Sequence, residues 1–314
     1  MVAMGFVGCS AGKADGNADA ETETAVEVEA PAFSADSAYS YVKRMVDFGP
    51  RVPNTEAHRN AGDWLVSQLK GFGWDVTEQR AALRAFDGTT LQARNIFARL
   101  NPEASDRILL LAHWDCRPWA DQDPDPAKQK QPVDGANDGA SGVGVLLEVA
   151  RQLGAEKFQK GVDILFVDAE DWGDDGDEDS WALGTQYFME NPPVAGYSPR
   201  EAILLDMVGS PDATFGYEYF SQQANPALLQ RMWAAGRALG HDKYFVGRSG
   251  GAVTDDHVVL IEHGIPAIDV IDYRTAPGHY GFDPVWHTTA DTMDNISPAT
   301  LRAVGETLLY VVKE

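Results

Sequence analysis

The sequence predicts a single α/β domain in which helices flank a mixed, mostly parallel central β-sheet. Strand-like apolar runs alternate with amphipathic helical segments along most of the chain, and this alternation is typical of a parallel sheet with helices on its faces. The first two predicted strands instead alternate polar and apolar residues and are joined across Asp87-Gly88. Such a pattern favours antiparallel strands at one edge of the sheet.

Two helices and two strands open the folded part of the chain. Residues 34–48 begin with the helix-capping residue Ser34 and carry apolar residues at helical spacing, which predicts an amphipathic helix. Residues 55–69 are predicted to form a second helix that ends at a pair of nearby glycines. The predicted antiparallel strands are residues 74–80 and 90–100.

A strand, a long polar loop and a helix form the centre of the prediction. The apolar run 108–112 predicts a buried strand that delivers His113 and Asp115 at its carboxyl end. The loop passes through Asp138, and residues 143–153 then have the apolar spacing of a helix packed on the sheet. In an open α/β sheet, chemistry concentrates at the carboxyl ends of the strands. We therefore expect a functional site at this strand end.

The rest of the chain continues the alternation of strands and helices. The sequence contains no evident internal repeat or second domain, so one core is expected to hold these elements. The predicted strands are 162–167, 202–208 and 265–271, and the predicted helices are 183–189, 226–239 and 298–312.

The composition disfavours two classes of partner. With 25 Lys and Arg against 48 Asp and Glu, the formal net charge is -23, which argues against nucleic acid and anionic membrane surfaces as partners. The sequence has no apolar run of about 18 residues and therefore predicts no membrane-spanning helix.

The N-terminal segment has a different composition from the rest. A short apolar stretch leads into Val7-Gly8-Cys9-Ser10 and then into an acidic segment. This pattern resembles the end of a bacterial lipoprotein signal peptide, in which Cys9 would be lipidated. We expect residues 1–33 to be a signal remnant and disordered tether on an exported protein, either periplasmic or anchored to a membrane through Cys9. An ordinary disordered tail with a stray cysteine is the alternative.

Carboxylates and histidines gather after the predicted strands. Zinc binds such oxygen and nitrogen ligands at ~2.0–2.2 Å, and a catalytic zinc keeps one coordination position open. Of the adjacent acids Glu170 and Asp171, one can bind a metal while its neighbour moves protons. The pattern therefore predicts a zinc site of the hydrolytic type. The residues concerned are His113, Asp138, Asp168, Glu170, Asp171, Asp206, Asp255, Asp256 and His287. The neighbouring His257 is interpreted by default as structural or solvent-facing.

Several of these motifs have other interpretations. The acidic run 168–179 could be a solvated or calcium-binding loop, but Ser180 stands where the helix-loop-helix calcium pattern requires glycine. The glycine-rich loop near Gly142 lacks the nucleophile-elbow spacing and the third glycine of a dinucleotide fingerprint. Cys116 has no specific histidine partner and is interpreted as a packing thiol.

Six motifs follow one another in a fixed order from about residue 48 to the C terminus. They are His113-Trp114-Asp115, Gly135-Ala136-Asn137-Asp138-Gly139, Glu170-Asp171, Asp206, Asp255-Asp256-His257 and Trp286-His287-Thr288. This order resembles the zinc aminopeptidase and glutaminyl cyclase family, and most closely its bacterial glutaminyl cyclases of the animal type.

The resemblance implies a zinc-dependent catalytic domain over residues 34–314, with a zinc aminopeptidase-like fold. Asp138, Asp171 and His287 would hold one Zn²⁺. Glu170 would be the proton shuttle that takes a proton from the attacking α-amine and returns it to departing ammonia.

The resemblance also implies a substrate. Asp255 and Asp206 would orient the substrate amine and stabilise the leaving group, and Trp286 would line the pocket for the glutamine side chain. The implied reaction converts the N-terminal glutamine of peptides and exported proteins to pyroglutamate with release of ammonia.

Two alternatives stay open. In a two-zinc aminopeptidase, His113 and Asp206 would hold a second zinc and Glu170 would activate a water molecule. Gly139 weakens this interpretation, because such aminopeptidases usually carry a second Asp after the bridging one. A binding protein built on an inactive peptidase scaffold would have lost metal ligands, whereas every ligand position here carries a competent side chain.

Overall fold

A six-stranded mixed sheet lies at the centre of the protein. The computed structural model describes residues 29–156, 158–276 and 279–314. In chain order, the strands are β1 (Asp75–Arg84), β2 (Thr90–Leu100), β3 (Arg107–His113), β4 (Gly161–Val167), β5 (Glu201–Asp206), β6 (Phe215–Tyr217), β7 (Phe245–Ser249), β8 (Ala267–Ile271), β9 (Arg274–Ala276) and β10 (His279–Gly281). The α-helices are α1 (Ala35–Asp47), α2 (Glu56–Gly71), α3 (Ala140–Glu156), α4 (Leu183–Glu190), α5 (Tyr219–Ala224), α6 (Pro226–Ala238), α7 (Asp256–Glu262) and α8 (Pro298–Lys313).

The central sheet has the predicted mixture of strand directions. Its order is β1-β2-β4-β3-β5-β8, and β3, β4, β5 and β8 are parallel to one another. The first two strands pair antiparallel with each other, and β2 pairs antiparallel with β4. The predicted fold class, a mixed and mostly parallel sheet flanked by helices, is confirmed.

Helices cover both faces of this sheet. Successive side chains of a strand point to opposite faces, so Leu110 of β3 joins the core beneath α1, α3 and α8. Leu109 and Leu111 join a second core that contains Phe188 of α4 and Leu260 of α7. Burial on both faces explains why β3 appears as a continuous apolar run and not as an alternating pattern.

The predicted elements differ from the observed ones mainly at their ends. The fifth strand ends at Asp206, two residues before the predicted end, because Met207 adopts a left-handed backbone with φ of 47°. Helix α3 begins at Ala140, three residues earlier than predicted. The sequence analysis did not predict β6, β7, β9, β10, α5 or α7, which have three to seven residues each and are too short to show a clear period.

The predicted lipidation site Cys9 lies outside the described residues, as does most of the predicted tether 1–33. Among the described residues, no helix has both the length and the apolar composition needed to cross a bilayer.

Candidate active site

Polar side chains meet at the carboxyl edge of the parallel strands. His113 is the last residue of β3 and Asp206 is the last residue of β5. Because β3 pairs in parallel with β5, the two side chains lie together, with His113 Nε2 3.1 Å from Asp206 Oδ1. This edge is where the sequence analysis placed the functional site.

The turn before α3 brings Asp138 to the same edge. The backbone N–H groups of Asn137 and Asp138 donate to the carboxylate of Asp291 over 2.8 and 3.1 Å, which fixes the turn. Gly139 has φ of 91°, and a Cβ at this position would lie 2.7 Å from the carbonyl oxygen of Asp115. Both the backbone conformation and the available space therefore require glycine here, so this turn cannot accommodate the second Asp of the aminopeptidases.

Asp138 joins two groups of metal-ligating side chains. Its Oδ1 lies 3.0 Å from His113 Nε2, and its Oδ2 lies 3.4 Å from His287 Nε2. His287 Nε2 is also 3.1 Å from Asp171 Oδ1. The ligand atoms of Asp138, Asp171 and His287 all lie within 4.8 Å of one another, as do those of His113, Asp138 and Asp206.

The residues of the first of these groups fit a zinc ion. Asp138, Asp171 and His287 have side chains that are 7 % exposed or less, and they offer two carboxylates and an imidazole, a donor set that zinc accepts. Asp171 Oδ1 faces His287 Nε2 at 3.1 Å but forms no well-aligned hydrogen bond among the described residues. A buried oxygen without a partner costs free energy, and a bound cation would satisfy it.

The ionisation of this group is strongly perturbed. Burial alone would lower the pKa of His287, but the charge of Asp171 and contact with Asp121 raise it to about 9. Burial and the charge of Asp138 raise the pKa of Asp171 to about 6. With a pKa of about 9, His287 without a metal is protonated on both ring nitrogens at neutral pH. Metal binding would displace the proton from the ligating nitrogen.

Glu170 lies beside both ligand groups without belonging to either. Its Oε2 lies 4.0 Å from His113 Nδ1, and its backbone N–H donates to Asp115 over 3.3 Å. Burial raises the pKa of Glu170 well above its usual value, and the charges of Asp255 and Asp171 raise it further. A carboxyl group with a raised pKa can take up and return a proton near neutral pH.

The turn that carries Glu170 is anchored to the sheet by Asp168. Asp168 Oδ2 accepts from the backbone N–H of Arg94 over 2.6 Å and lies 2.7 Å from Nε2 of the buried His58. Ala169 then adopts φ of 54°. This left-handed residue turns the chain sharply after β4, so that Glu170 and Asp171 face the carboxyl edge.

Aromatic rings form one wall of a cavity of about 350 Å³ that contains the carboxylates. Trp286 stacks on His287 with 3.7 Å between ring centroids and packs on Phe282 at 4.5 Å. Trp181 lies 6.1 Å from His287 with nearly parallel rings. The sequence analysis assigned Trp286 to the substrate pocket, and in the structure it lines this cavity together with Glu170.

The sequence profile of peptidase family M28 matches residues 95–312, the part of the chain that holds both ligand groups. The chain belongs to peptidase family M28. It is 53 % identical to a glutaminyl cyclase of Porphyromonas gingivalis of known crystal structure, with a TM-score of 0.87 over 89 % of this chain and 98 % of that one.

Two further comparisons bear on the M28 assignment. A Zn-dependent exopeptidase from Parabacteroides distasonis is 51 % identical, with a TM-score of 0.88 over 91 % of this chain and 100 % of that one. A glutaminyl-peptide cyclotransferase-like protein of Bos taurus is 27 % identical over 298 residues, which cover 84 % of this chain and 72 % of that protein.

Asp255 reaches the cavity of this M28 protein from the start of α7. It caps this helix, and its buried Oδ2 has no hydrogen-bond partner among the described residues. Burial and the charges of Asp206 and Asp256 raise the pKa of Asp255 well above its usual value. The sequence-predicted residues Asp206 and Asp255 thus both line the cavity.

His257 was named from the sequence, but its buried carboxylate partners behind Asp255 were not. His257 lies 3.8 Å from Asp269 Oδ2 and 3.2 Å from Glu218 Oε2, and burial raises the pKa of Asp269 well above its usual value. Asp269 lies in the middle of the apolar strand β8, and its polar neighbours come from distant parts of the chain. No local pattern could have identified Glu218 and Asp269 as the partners of His257.

Asp121 also contacts the site, although no role was assigned to it from the sequence. Its Oδ1 lies 3.5 Å from His287 Nδ1, and Arg117 donates to both of its oxygens over 2.9 and 2.6 Å. Arg117 also donates to the carbonyl oxygen of Asp171 over 3.1 Å. A carboxylate beside the outer nitrogen of a metal-binding imidazole fixes the orientation of the ring.

Proposed function

We propose that this M28 protein is a glutaminyl-peptide cyclotransferase that converts N-terminal glutamine of peptides and proteins to pyroglutamate and releases ammonia. The observation that carries the proposal is the similarity to the Porphyromonas gingivalis glutaminyl cyclase at 53 % identity over 89 % of the chain. The position of Glu170 beside the Asp138, Asp171 and His287 group supports it, because cyclisation needs a proton shuttle next to the reacting amide.

Asp138, Asp171 and His287 are the proposed zinc ligands. Their burial, their mutual distances and the lack of a well-aligned hydrogen bond at Asp171 Oδ1 support this role. Bound there, Zn²⁺ would supply Lewis-acid activation of the γ-amide carbonyl of the substrate glutamine.

Glu170 is the proposed carrier of the proton. The α-amine nitrogen of the substrate attacks the γ-carbonyl carbon, a new C–N bond closes the five-membered ring, and the bond from that carbon to the amide nitrogen breaks. Glu170, ionised, accepts one proton from the attacking amine and returns it to the departing nitrogen, which leaves as ammonia. No water molecule is consumed, because the nucleophile belongs to the substrate and is held beside its target.

Asp255, Asp206 and Trp286 are the proposed substrate-positioning residues. Asp255 Oδ2 is buried at the cavity without a partner, so it can accept a hydrogen bond from the substrate amine. Asp206 and Asp138 both contact His113 Nε2, over 3.1 and 3.0 Å. From this position Asp206 can stabilise the leaving amide nitrogen. The indole of Trp286 offers an apolar surface for the methylene groups of glutamine.

A product assay tests the proposed function. Zinc-loaded protein is incubated with a peptide that begins with Gln-Ala and with matched peptides that begin with Ala or Leu, and products are measured by mass spectrometry. We expect loss of one ammonia from the first peptide and no change in the others. Release of a free N-terminal residue from any peptide would instead show a water nucleophile and an aminopeptidase.

The two-zinc aminopeptidase is the second candidate function. The observation in its favour is the His113, Asp138 and Asp206 group, whose ligand atoms also lie within 4.8 Å of one another. Glu170 would then activate water. The spatial requirement for glycine at position 139 and the similarity to a glutaminyl cyclase favour the cyclase.

Asp121 is expected to strengthen zinc binding by holding His287 in its ligating orientation. For Asp121→Asn we expect zinc affinity to fall by roughly 10- to 100-fold, the usual effect of losing a carboxylate behind a ligating histidine. Competition with a chromophoric chelator measures this affinity. Asp125→Asn is the matched control in the same loop, because Asp125 is exposed and, among the described residues, its side chain accepts only from the backbone of Ala127. Equal zinc affinity in both variants would contradict the role given to Asp121.

Export and lipidation at Cys9 are also proposed, with the Val7-Gly8-Cys9-Ser10 pattern as their support. Mass spectrometry of the protein isolated from its native membranes tests this location, and an unmodified Cys9 thiol would reject the lipid anchor.

A further inference from the structure

A second groove continues the active-site cavity along the surface between α4 and α7. It has a volume of about 470 Å³ and shares Glu178, Trp181, Thr254 and Asp255 with the active-site cavity. Asp255 is only 5 % exposed, and its Oδ2 has no hydrogen-bond partner among the described residues. This buried oxygen lies where the two cavities meet, so a ligand that spans them can donate a hydrogen bond to it.

The rim of this groove is negatively charged. Glu178, Asp179, Glu190 and Glu262 are exposed residues that line it. Within the described part of the chain, none of these four carboxylates forms an ion pair with a Lys, Arg or His side chain. Their charges therefore remain available to a ligand.

The floor of the groove is apolar. Phe220, Val258 and Val259 line it and are partly buried. Lys and Arg side chains combine an aliphatic stem with a charged end, so they can cover an apolar floor while the charge reaches an acidic rim. The shape and charge of the groove thus match an extended peptide that carries basic side chains.

We propose that the groove binds the residues that follow the N-terminal glutamine of the substrate and selects peptides that carry Lys or Arg there. The inference rests on the proposed function and adds its substrate class. An eight-residue helix such as α4 is ~12 Å long, and an extended peptide advances ~3.4 Å per residue. The side of the groove formed by α4 therefore has the length of roughly three to four extended residues after the glutamine.

Binding of two peptides of equal length and opposite side-chain charge tests the groove. Dissociation constants are measured by calorimetry for Gln-Ala-Lys-Ala-Lys-amide and Gln-Ala-Glu-Ala-Glu-amide, on zinc-loaded Glu170→Gln protein so that bound peptide is not consumed. In low salt we expect the basic peptide to bind roughly 10-fold more tightly, and the ratio to shrink towards ~2-fold in about 0.5 M salt because exposed charges are screened. Equal affinity in low salt would overturn the proposal.

A double variant tests whether the carboxylates of the rim cause the selectivity. In protein that also carries Glu190→Gln and Glu262→Gln, we expect the affinity ratio to fall to about 3-fold or less. The matched control pair is Glu103→Gln and Glu314→Gln, which removes the same charge from exposed residues of the β2–β3 turn and the C terminus. An unchanged ratio in the rim variant would place the selectivity elsewhere and reject the groove.

Turnover by the wild-type protein separates this inference from the proposed function. If neither the two peptides nor the short substrate Gln-Ala-amide releases ammonia, the cyclase proposal fails, while the affinity ratio still decides the groove. If all three are cyclised with equal kcat/KM and the two longer peptides bind equally, the cyclase stands and the groove proposal is overturned.

Discussion

Replacing Glu170 by glutamine is expected to reduce kcat/KM for N-terminal glutamine peptides by about 10²- to 10⁴-fold, the usual contribution of a positioned general base and acid. The amide keeps the size and shape of the side chain but replaces one acceptor oxygen by an NH₂ donor, so it cannot accept the amine proton. Because Glu170 belongs to neither ligand group, zinc content is expected to stay at the wild-type level.

Zinc content and turnover must be measured on the same preparations for this variant. Glu103→Gln is the control, since it makes the same chemical change at an exposed position in the β2–β3 turn. Loss of activity together with zinc would mean that Glu170 is a metal ligand. Near wild-type turnover with zinc bound would remove Glu170 from the proton path altogether.

The position of the candidate site could be predicted because it depends on strand ends. The apolar run of β3 identifies a strand buried on both faces, and in a parallel sheet the next polar residue, His113, must lie at the carboxyl edge. The same rule places Asp206 beside it, and the structure has the two side chains 3.1 Å apart. Alternating and continuous apolar patterns are formed by residues that are neighbours in the chain, so a single sequence is enough to identify the strands.

The contacts that hold the site residues in position could not be predicted, because they form within loops or between distant parts of the chain. Arg117 and Asp121 pair within the long loop 114–139, where no helical period relates residues four apart. His257 of α7 meets Glu218, which caps α5, and Asp269 of β8. The sequence gives the residue types at these positions, but only tertiary packing decides which of them meet.

The buried charges explain why a cation is expected to stabilise this fold. Asp138, Asp171 and Asp206 share one edge of the sheet with His113 and His287, and the raised pKa values of both histidines show that their protons partly offset the carboxylates. A zinc ion would replace such a proton with a stronger and better directed positive charge. Metal binding and folding stability are therefore linked.

Two histidine variants exploit this linkage and decide the number of metal ions. His113 and His287 approach opposite oxygens of Asp138 over 3.0 and 3.4 Å, so each is the other's matched control. For wild type we expect one zinc per chain and a zinc-dependent gain in the free energy of unfolding, about 4 kcal/mol at 1,000 times the dissociation constant. His287→Ala is expected to lose both the ion and most of that gain.

His113→Ala is expected to keep one zinc and its stabilisation, because Asp138, Asp171 and His287 remain intact. Elemental analysis gives the stoichiometry, and thermal unfolding with and without zinc gives the stabilisation. A fall from two ions to one in His113→Ala would show that His113, Asp138 and Asp206 hold a second metal. The proton that Glu170 carries would then come from water, as an aminopeptidase requires.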